Sequence, residues 1–332
     1  MTTYRTVKGY NIKKVSSDPA NVKEGQIWYN SSTSQIKIAP LIGAWASGGN
    51  MVAARNGHAG FGNQTDAVCA GGFIATPAPA DDDAQALVEE YNGSSWSEVT
   101  NMPTNRSSAS GCGASQTSGM VTGGIHTNQT TSVEYDGTNW TDGGDIPAVT
   151  RMSAQCGTVT ASLRCGGAGN PGTAINQTIE YDGTNWTSGG NLPHIEYGHM
   201  IVGTQTAAVF AGGHNGPTHD NLYEYDGSSW TDSGVTLTTN SGTNNMAAAA
   251  NGTQTAALWA AALAPARVST QVYDGSAISV AADLGTARYN VNNGGGGTSV
   301  AAIVAGGYTG TASTAVTEEF TEAVTTRTVD VS

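Results

Sequence analysis

The sequence has few charged residues and no lysine beyond residue 37. Charged residues make up 12% of the 332 residues, about half the usual share. Residues 1–43 hold five lysines and one arginine against two carboxylates, net +4, whereas the rest holds seven arginines against 24 carboxylates, net −17. This scarcity of cations argues against nucleic acid as a partner, because phosphate binding needs clustered Lys and Arg.

Several other features are missing. No apolar stretch reaches the 18 residues of a membrane span, and the N-terminus lacks a signal-peptide core, so no membrane insertion is expected. No P-loop, GxSxG or dinucleotide motif is present, and the four cysteines have no CxxC or CxxH spacing. The sequence therefore predicts no cofactor, no metal and four buried free thiols: Cys69, Cys112, Cys156 and Cys165.

Glycine is abundant, at 45 residues, and recurs at fixed positions of a repeat of 44 to 51 residues. Five copies of a tyrosine–Asx-Gly signature are present: EEYNGSSW, VEYDGTNW, IEYDGTNW, YEYDGSSW and the degenerate QVYDGSAI; a sixth copy, TEEF, stops at Phe320. Asp-Gly between two β-prone runs predicts a hairpin with a type I′ turn, in which both turn residues take positive φ. The structural residues of the repeat are then Tyr91, Tyr135, Tyr181, Tyr225, Tyr273, Trp96, Trp140, Trp186, Trp230 and Trp45.

Two further marks precede each signature. A small apolar strand ends in paired glycines at Gly72, Gly124, Gly167, Gly213 and Gly307, with Ala261 and Ala262 in the fifth copy. An arginine opens an earlier strand at Arg55, Arg106, Arg151 and Arg288, with Glu196 in the fourth copy and Asn245 in the fifth. Each repeat is therefore predicted to be a four-stranded blade that needs neighbours to cover its faces.

Paired glycines followed by Tyr and Trp resemble the kelch motif over residues 45 to about 322. The resemblance implies an all-β, six-bladed kelch-like β-propeller. Because the sixth copy lacks its last strand and the stretch from Trp45 to Met51 matches Trp186 to Leu192, we expect residues 45–51 to complete blade six. The loops after the glycine pairs then share one face, which is free to meet a ligand.

Three segments are predicted. Residues 1–43 form an attachment segment with a small β-hairpin at GQIWYNSSTSQIKI, residues 44–322 the propeller, and residues 323–332 a C-terminal strand or a frayed tail. The stretch VSSDPANVKEGQIWYN resembles N-terminal segments of virion structural proteins of tailed phages, particularly those of marine hosts. This resemblance implies a virion location, with other virion proteins binding residues 1–43; homo-oligomerisation is left open.

Candidate ligand-binding residues lie in loops on the free face: His126, His214, His219, Asp81, Asp82 and Asp83. Calcium binding at the three aspartates is an alternative to a solvated loop. His58 and His199 are interpreted as packed or channel-lining residues. No catalytic residue is assigned, because glycoside hydrolysis uses two carboxyl groups and Glu196 is the only carboxylate on the predicted inner strands.

The predicted function is a non-catalytic virion structural protein that projects its propeller from a phage tail, fibre or capsid surface. A host-surface glycan is the expected ligand class, since concave loop faces with Asn, Thr, His and aromatic groups suit sugars. Two alternatives remain: a carbohydrate-active enzyme, and a cellular kelch-type adaptor that binds protein.

Overall fold

The computed structural model describes residues 12–39, 41–74, 83–125, 130–169, 172–215, 219–238, 246–261, 266–291, 295–324 and 326–329. The chain divides into two compact units. One joins the N-terminal part through Ala44 with the C-terminal part from Thr321, and the other is Trp45–Phe320. No described residue belongs to an α-helix, and none of these residues forms a helix that could cross a membrane.

The smaller unit contains a four-stranded sheet in the order β1-β2-β3-β30 (Lys13–Val15, Ile27–Asn30, Gln35–Ile38, Arg327–Thr328). Strands β2 and β3 form the expected hairpin, with Ile27 opposite Ile38. The C-terminal strand pairs with β3, and Val329 donates its N–H to the Ile36 carbonyl at 2.9 Å. Within the predicted C-terminal segment, Arg327–Thr328 is a strand; the bounds of the three predicted segments stay predictions.

Six further four-stranded sheets, here called sheets 1 to 6, lie wholly or mainly in the larger unit, and sheets 1 to 5 are antiparallel throughout. Their strands are, for sheet 1, β5 Ala59–Asn63, β6 Asp66–Ala70, β7 Val88–Tyr91 and β8 Trp96–Glu98; for sheet 2, β9 Ser110–Ser115, β10 Ser118–Thr122, β11 Ser132–Tyr135 and β12 Trp140–Asp142; for sheet 3, β14 Ala154–Thr158, β15 Ala161–Cys165, β17 Thr178–Tyr181 and β18 Trp186–Ser188. A two-stranded ribbon, β13 Thr150–Arg151 with β16 Ala168–Gly169, accompanies sheet 3.

The remaining sheets follow the same order. They are, for sheet 4, β19 Met200–Thr204, β20 Ala207–Ala211, β21 Asn221–Tyr225 and β22 Trp230–Thr236; for sheet 5, β23 Ala247–Ala248, β24 Ala257–Ala260, β25 Thr270–Tyr273 and β26 Ile278–Val280; for sheet 6, β27 Gly295–Thr298, β28 Ala301–Ala305, β29 Thr317–Val324 and β4 Leu41–Ser47. The fourth strand of sheet 6 therefore comes from the beginning of the chain.

Burial decreases from the first two strands of a sheet to the last. Second strands such as β6 and β20 are buried on both faces after their first residue, so they are continuous small apolar runs rather than alternating ones. Fourth strands such as β8 are exposed after their tryptophan. The first strands contact one another in the order β5, β9, β14, β19, β23, β27, and β27 contacts β5.

The glycine pairs join neighbouring sheets. The first glycine has φ between 55° and 74° in five sheets, and a Cβ on Gly71 would lie 2.4 Å from the Arg106 carbonyl oxygen. The second glycine donates its N–H to the backbone of the next sheet, as from Gly72 to Arg106 (2.8 Å) and from Gly307 to Arg55 (2.8 Å). Close approach and positive φ together require glycine here.

The Asp-Gly turns differ from the type I′ prediction, which is wrong in its backbone conformation. Only the glycine takes positive φ, between 87° and 95°. The aspartate acts through its side chain, since Asp136 Oδ1 accepts the N–H groups of Thr138 (2.8 Å) and Asn139 (2.7 Å). Four residues thus separate the paired Tyr135 and Trp140, and the carboxylate holds the loop as an Asx turn.

Tyrosine–glutamate hydrogen bonds join neighbouring sheets at five junctions. The tyrosine hydroxyl donates to a glutamate in the third strand of the neighbour: Tyr135 to Glu90 (2.7 Å), Tyr181 to Glu134 (2.8 Å), Tyr225 to Glu180 (2.5 Å), Tyr273 to Glu224 (2.8 Å) and Tyr91 to Glu319. Sheet 5 carries Val272 where the glutamate is expected, and sheet 6 carries Phe320 where the tyrosine is expected. The two losses fall on the same junction.

Tryptophan indoles add a second set of contacts between sheets. Trp96 donates its Nε1–H to Thr317 Oγ1 at 2.8 Å, and Trp230 donates to Thr178 Oγ1 at 3.0 Å. Trp45 makes the same bond to Thr270 Oγ1 in sheet 5, at 2.8 Å, and its ring lies 5.2 Å from that of Phe320. Trp45 therefore does in sheet 6 what the other tryptophans do in their own sheets.

Buried guanidinium groups tie strands within a sheet. Arg55 donates to the carbonyls of Gly71 (3.2 Å) and Leu87 (2.9 Å) and pairs with Glu89. Arg288 makes the equivalent contacts in sheet 6, including its pair with Glu318. These arginines precede the first strand instead of lying in it.

Sheet 3 departs from the sequence alignment by one residue. The buried residue in the arginine position is Thr150, which accepts the N–H of Gly124 at 3.0 Å. The guanidinium there comes from Arg164 on β15, which donates to both Thr150 oxygens. Arg151, which the sequence alignment placed in this position, lies one residue further on.

Candidate functional site

A chain of backbone hydrogen bonds links sheets 6, 1, 2, 3 and 4 at one end of the sheets. In these five sheets the residue two positions after the arginine position has φ between 52° and 71°, whether it is glycine or not. In sheets 1 to 4 the N–H of this residue donates to the carbonyl of the equivalent residue in the neighbouring sheet: Gly57 to Asn290 (2.7 Å), Ser108 to Gly57 (2.7 Å), Met152 to Ser108 (2.9 Å) and Gly198 to Met152 (2.9 Å). This chain of bonds lies at the end where the predicted ligand loops begin.

The residues flanking this chain of hydrogen bonds are here called the rim. They are cross-strand neighbours just before the first strand and just after the second: Asn56 with Phe73, Ser107 with Ile125, Arg151 with Ala168, Tyr197 with His214, and Tyr289 with Tyr308. The backbone geometry is shared, but the side chains differ from sheet to sheet. The rim is therefore the place where one repeat can differ chemically from another.

Sheet 4 brings two of the predicted ligand residues together. His214 packs edge-on against Tyr197, with ring centroids 5.4 Å apart, and His219 donates its backbone N–H to the Gly213 carbonyl at 3.2 Å. His219 also stacks on His194 at 5.5 Å. Burial, followed by the nearby His194, lowers the pKa of His219.

His194 was missed by the sequence reasoning. The residue is exposed, and its Nε2 lies 3.0 Å from the Tyr223 hydroxyl. The available signal was its place in LPHIE, directly before the start of sheet 4. The ligand spacings of metal sites do not identify His194. No group of three or more His, Cys, Asp or Glu in the described part of the chain could hold a metal ion.

The other candidate residues are placed less informatively. Asp83 lies next to Ala84, which forms a β-bridge with Phe73. The backbone carbonyl of Asp83 accepts a hydrogen bond from the side-chain amide of Gln85 at 2.9 Å. His126, Asp81 and Asp82 lie outside the described residues. The calcium alternative for the aspartate run therefore stays a prediction.

The inner histidines are packed. His58 and His199 are fully buried, and burial lowers the pKa of each to about 3, so both rings are neutral. His199 Nε2 lies 3.0 Å from the Cys165 carbonyl oxygen of the preceding sheet. All four cysteines are buried and free, and burial raises the pKa of Cys112 to about 11, which keeps it a thiol.

Glu196 is the most perturbed carboxyl group in sheet 4. It is 1% exposed, its Oε2 has no hydrogen-bond partner, and burial raises its pKa to about 8. Its place corresponds to that of Arg55, whose guanidinium donates to carbonyl oxygens. A protonated carboxyl can still donate a hydrogen bond in such a place, whereas a carboxylate cannot.

Comparison with known proteins agrees with the sheet arrangement. No protein-family model matches the sequence, and no curated protein matches it. A solved structure titled "Structure of YjhT" is similar, with a TM-score of 0.64 over 83% of this chain and 99% of that chain, at 11% identity. The fold is β-propeller-like. The likeness confirms an all-β, propeller-like fold alone; the six closed blades and the kelch and phage resemblances stay predictions.

Proposed function

We propose that the six sheets are the blades of a closed propeller and that Trp45–Ser47 of β4 completes blade six. The cyclic contacts of the first strands, the Gly307–Arg55 bond and the Tyr91–Glu319 bond support closure between sheets 6 and 1. Gln64 adds to this junction, since its side-chain amide reaches the Phe320 carbonyl at 2.7 Å. Closure of this kind removes two exposed sheet edges.

We further propose that this propeller belongs to a non-catalytic virion structural protein, displayed on a phage tail, fibre or capsid surface through residues 1–43. The observation that carries the non-catalytic part is the use of the repeated polar residues. The recurring Glu, Tyr, Asp, Trp and Arg side chains bond to other sheets, to other strands of their own sheet or to their own turns, so their repetition reflects architecture. The virion location rests on the resemblance of VSSDPANVKEGQIWYN to phage structural proteins.

Immunogold electron microscopy of purified particles tests the location. Antibody against residues 52–320 should label a defined position on the particle, which would also separate capsid, tail and fibre. Soluble recombinant protein added during labelling serves as the competition control. Particles that stay unlabelled after mild denaturation has exposed internal proteins would contradict the proposal and favour the cellular protein-binding adaptor.

One observation favours a carbohydrate-active enzyme as the second candidate. A buried carboxyl group with a pKa of about 8, like that of Glu196, can act as a general acid at neutral pH. Against this, Glu196 is 1% exposed, and a substrate would have to reach it. A reducing-sugar assay on host polysaccharides, with Glu196→Gln as the matched variant, decides: turnover that the variant loses would replace the proposal.

A further inference from the structure

Nine tyrosines lie in the unit Trp45–Phe320, and the fold accounts for the hydroxyls of six. Five donate to glutamates of neighbouring sheets, and the sixth, Tyr223, contacts His194. The other three are Tyr197, Tyr289 and Tyr308, all on the rim. Their hydroxyls bond to no described residue and are not among the buried unpartnered atoms, so they reach solvent.

Tyr289 and Tyr308 are held rigidly. They exchange two backbone hydrogen bonds, of 3.0 Å and 2.7 Å, and their rings meet edge to face at 5.5 Å. The next residue, Asn290, is one of the non-glycine residues with positive φ. Its side chain donates to Asn56 Oδ1, and Asn56 donates to Ser313 Oγ at 2.8 Å. An aromatic pair thus adjoins a chain of amide and hydroxyl groups.

The two arginines that directly precede Asn56 and Tyr289 are paired. Arg288 is buried with Glu318, and Arg55 is buried with Glu89. The rim side chains of sheets 6 and 1 are aromatic, amide or hydroxyl groups. A ligand suited to this surface therefore has an apolar face for the rings and neutral hydroxyls for the polar groups.

We propose that a neutral saccharide, a hexose or N-acetylhexosamine unit, binds at the rim by stacking on the Tyr289–Tyr308 pair. The tyrosine hydroxyls bond to the sugar hydroxyls, and Asn290 fixes the orientation of the pair. The equivalent rim residues of sheets 2 and 3 are Ser107, Ile125, Arg151 and Ala168, which offer no ring. The proposal rests on the proposed virion role and on the host-surface glycan expected from the sequence, and it gives that expectation a site and a ligand class.

The probe is a printed array of neutral, N-acetylated, sialylated and sulfated glycans, followed by calorimetric titration with the strongest-binding free oligosaccharide. The full chain is compared with Tyr308→Phe, which loses one hydroxyl, and Tyr308→Ala, which loses the ring. Tyr273→Phe is the matched control, because it removes the same atom from a tyrosine that bonds to Glu224 between sheets. Circular dichroism confirms that each variant is folded.

We expect a neutral glycan to bind, with Kd raised about 3–10-fold in Tyr308→Phe, the loss of about one hydrogen bond. Tyr308→Ala should lose at least about tenfold, and Tyr273→Phe should bind like the unaltered chain. Absence of glycan binding, binding of charged glycans alone, or Tyr308 variants that bind normally would overturn the proposal. Its failure is separate from that of the virion role: labelled particles without glycan binding reject only this site, and glycan binding without particle labelling rejects only the location.

Discussion

Replacing Glu196 with glutamine should change how the stability of the protein depends on pH. In the folded chain the carboxyl group is 1% exposed and its pKa is raised from 4.5 to about 8. In the unfolded chain the same group ionises near pH 4.3. Between these values the folded state holds a proton that the unfolded state has released, so the free energy of unfolding falls as pH rises.

The size of the effect follows from the displacement of the pKa. Each unit corresponds to about 1.4 kcal/mol, so the wild-type chain should lose roughly 3–5 kcal/mol between pH 4.5 and pH 8 through this group, and no more above that. Glutamine cannot ionise and keeps a side-chain N–H₂ donor. The stability of Glu196→Gln relative to wild type should therefore rise by about 1.4 kcal/mol per pH unit across this window.

Urea unfolding followed by tryptophan fluorescence, at unit steps from pH 5 to pH 9, measures this difference. Other ionising groups are common to both chains and cancel in the comparison. Glu98→Gln, which removes an exposed carboxylate from β8, is the control and should leave the curve parallel to wild type. If Glu196→Gln is also parallel, Glu196 is not buried as a neutral acid and the reasoning from its environment is wrong.

Three further predictions concern the contacts between sheets. Val272→Glu with Phe320→Tyr should restore the missing bond between sheets 5 and 6, giving a favourable coupling of about 1–2 kcal/mol in a double-mutant cycle; additive single effects would refute the pairing. Trp186→Ala should lower the free energy of unfolding by about 3–5 kcal/mol, because the ring is 9% exposed; an unchanged denaturation midpoint would mean that it does not pack. Deletion of residues 1–51 should destabilise the propeller more than deletion of 1–43, since only the former removes Trp45; equal midpoints in thermal melts would contradict closure by β4.

The sheet repeat could be predicted because its strongest determinants are local. Paired glycines are required by positive φ and close backbone approach, and the tyrosine and tryptophan flank a turn of fixed length. These requirements are visible in most copies of the sequence; the fifth copy has Ala261, with φ of 59°, and Ala262 in place of the glycine pair. The tryptophan of the sixth sheet, Trp45, was likewise recognisable from the residues that follow it.

Two predictions from the sequence were wrong, the alignment of Arg151 and the type of the Asp-Gly turn, because residue type alone did not fix the backbone position or the backbone conformation. Arg151 was aligned with the other arginines by residue type, but the backbone places Thr150 there and lets Arg164 supply the guanidinium from β15. The type I′ turn was assigned from the Asp-Gly pair alone. Asp136 uses its carboxylate as an acceptor for the loop, so the same dipeptide serves a longer turn.

The rim could not be predicted, because most of its pairs are single bridges between residues 17 or more positions apart in the sequence. Tyr289 and Tyr308 lie outside the named strands and share no motif, and neither tyrosine is in the Tyr–Trp signature. Repetition identifies the tyrosines that bond between sheets, but it cannot identify tyrosines that occur in one copy alone. In a repeat protein, a side chain that one copy carries and the others lack is free of the shared architectural role.

At the junction of sheets 5 and 6, the loss of one partner of the tyrosine–glutamate bond makes an apolar residue favourable at the other partner's position. A glutamate at Val272 would face Phe320, which has no hydroxyl, and a tyrosine at Phe320 would face Val272, which has no acceptor. A buried polar group without a partner costs more than the absence of both, so the paired apolar residues are a stable alternative to the bonded pair. At this junction the Trp45–Thr270 bond and the Trp45–Phe320 ring contact remain. The first residues of the propeller are thus most important for stability at the junction that the repeat itself stabilises least.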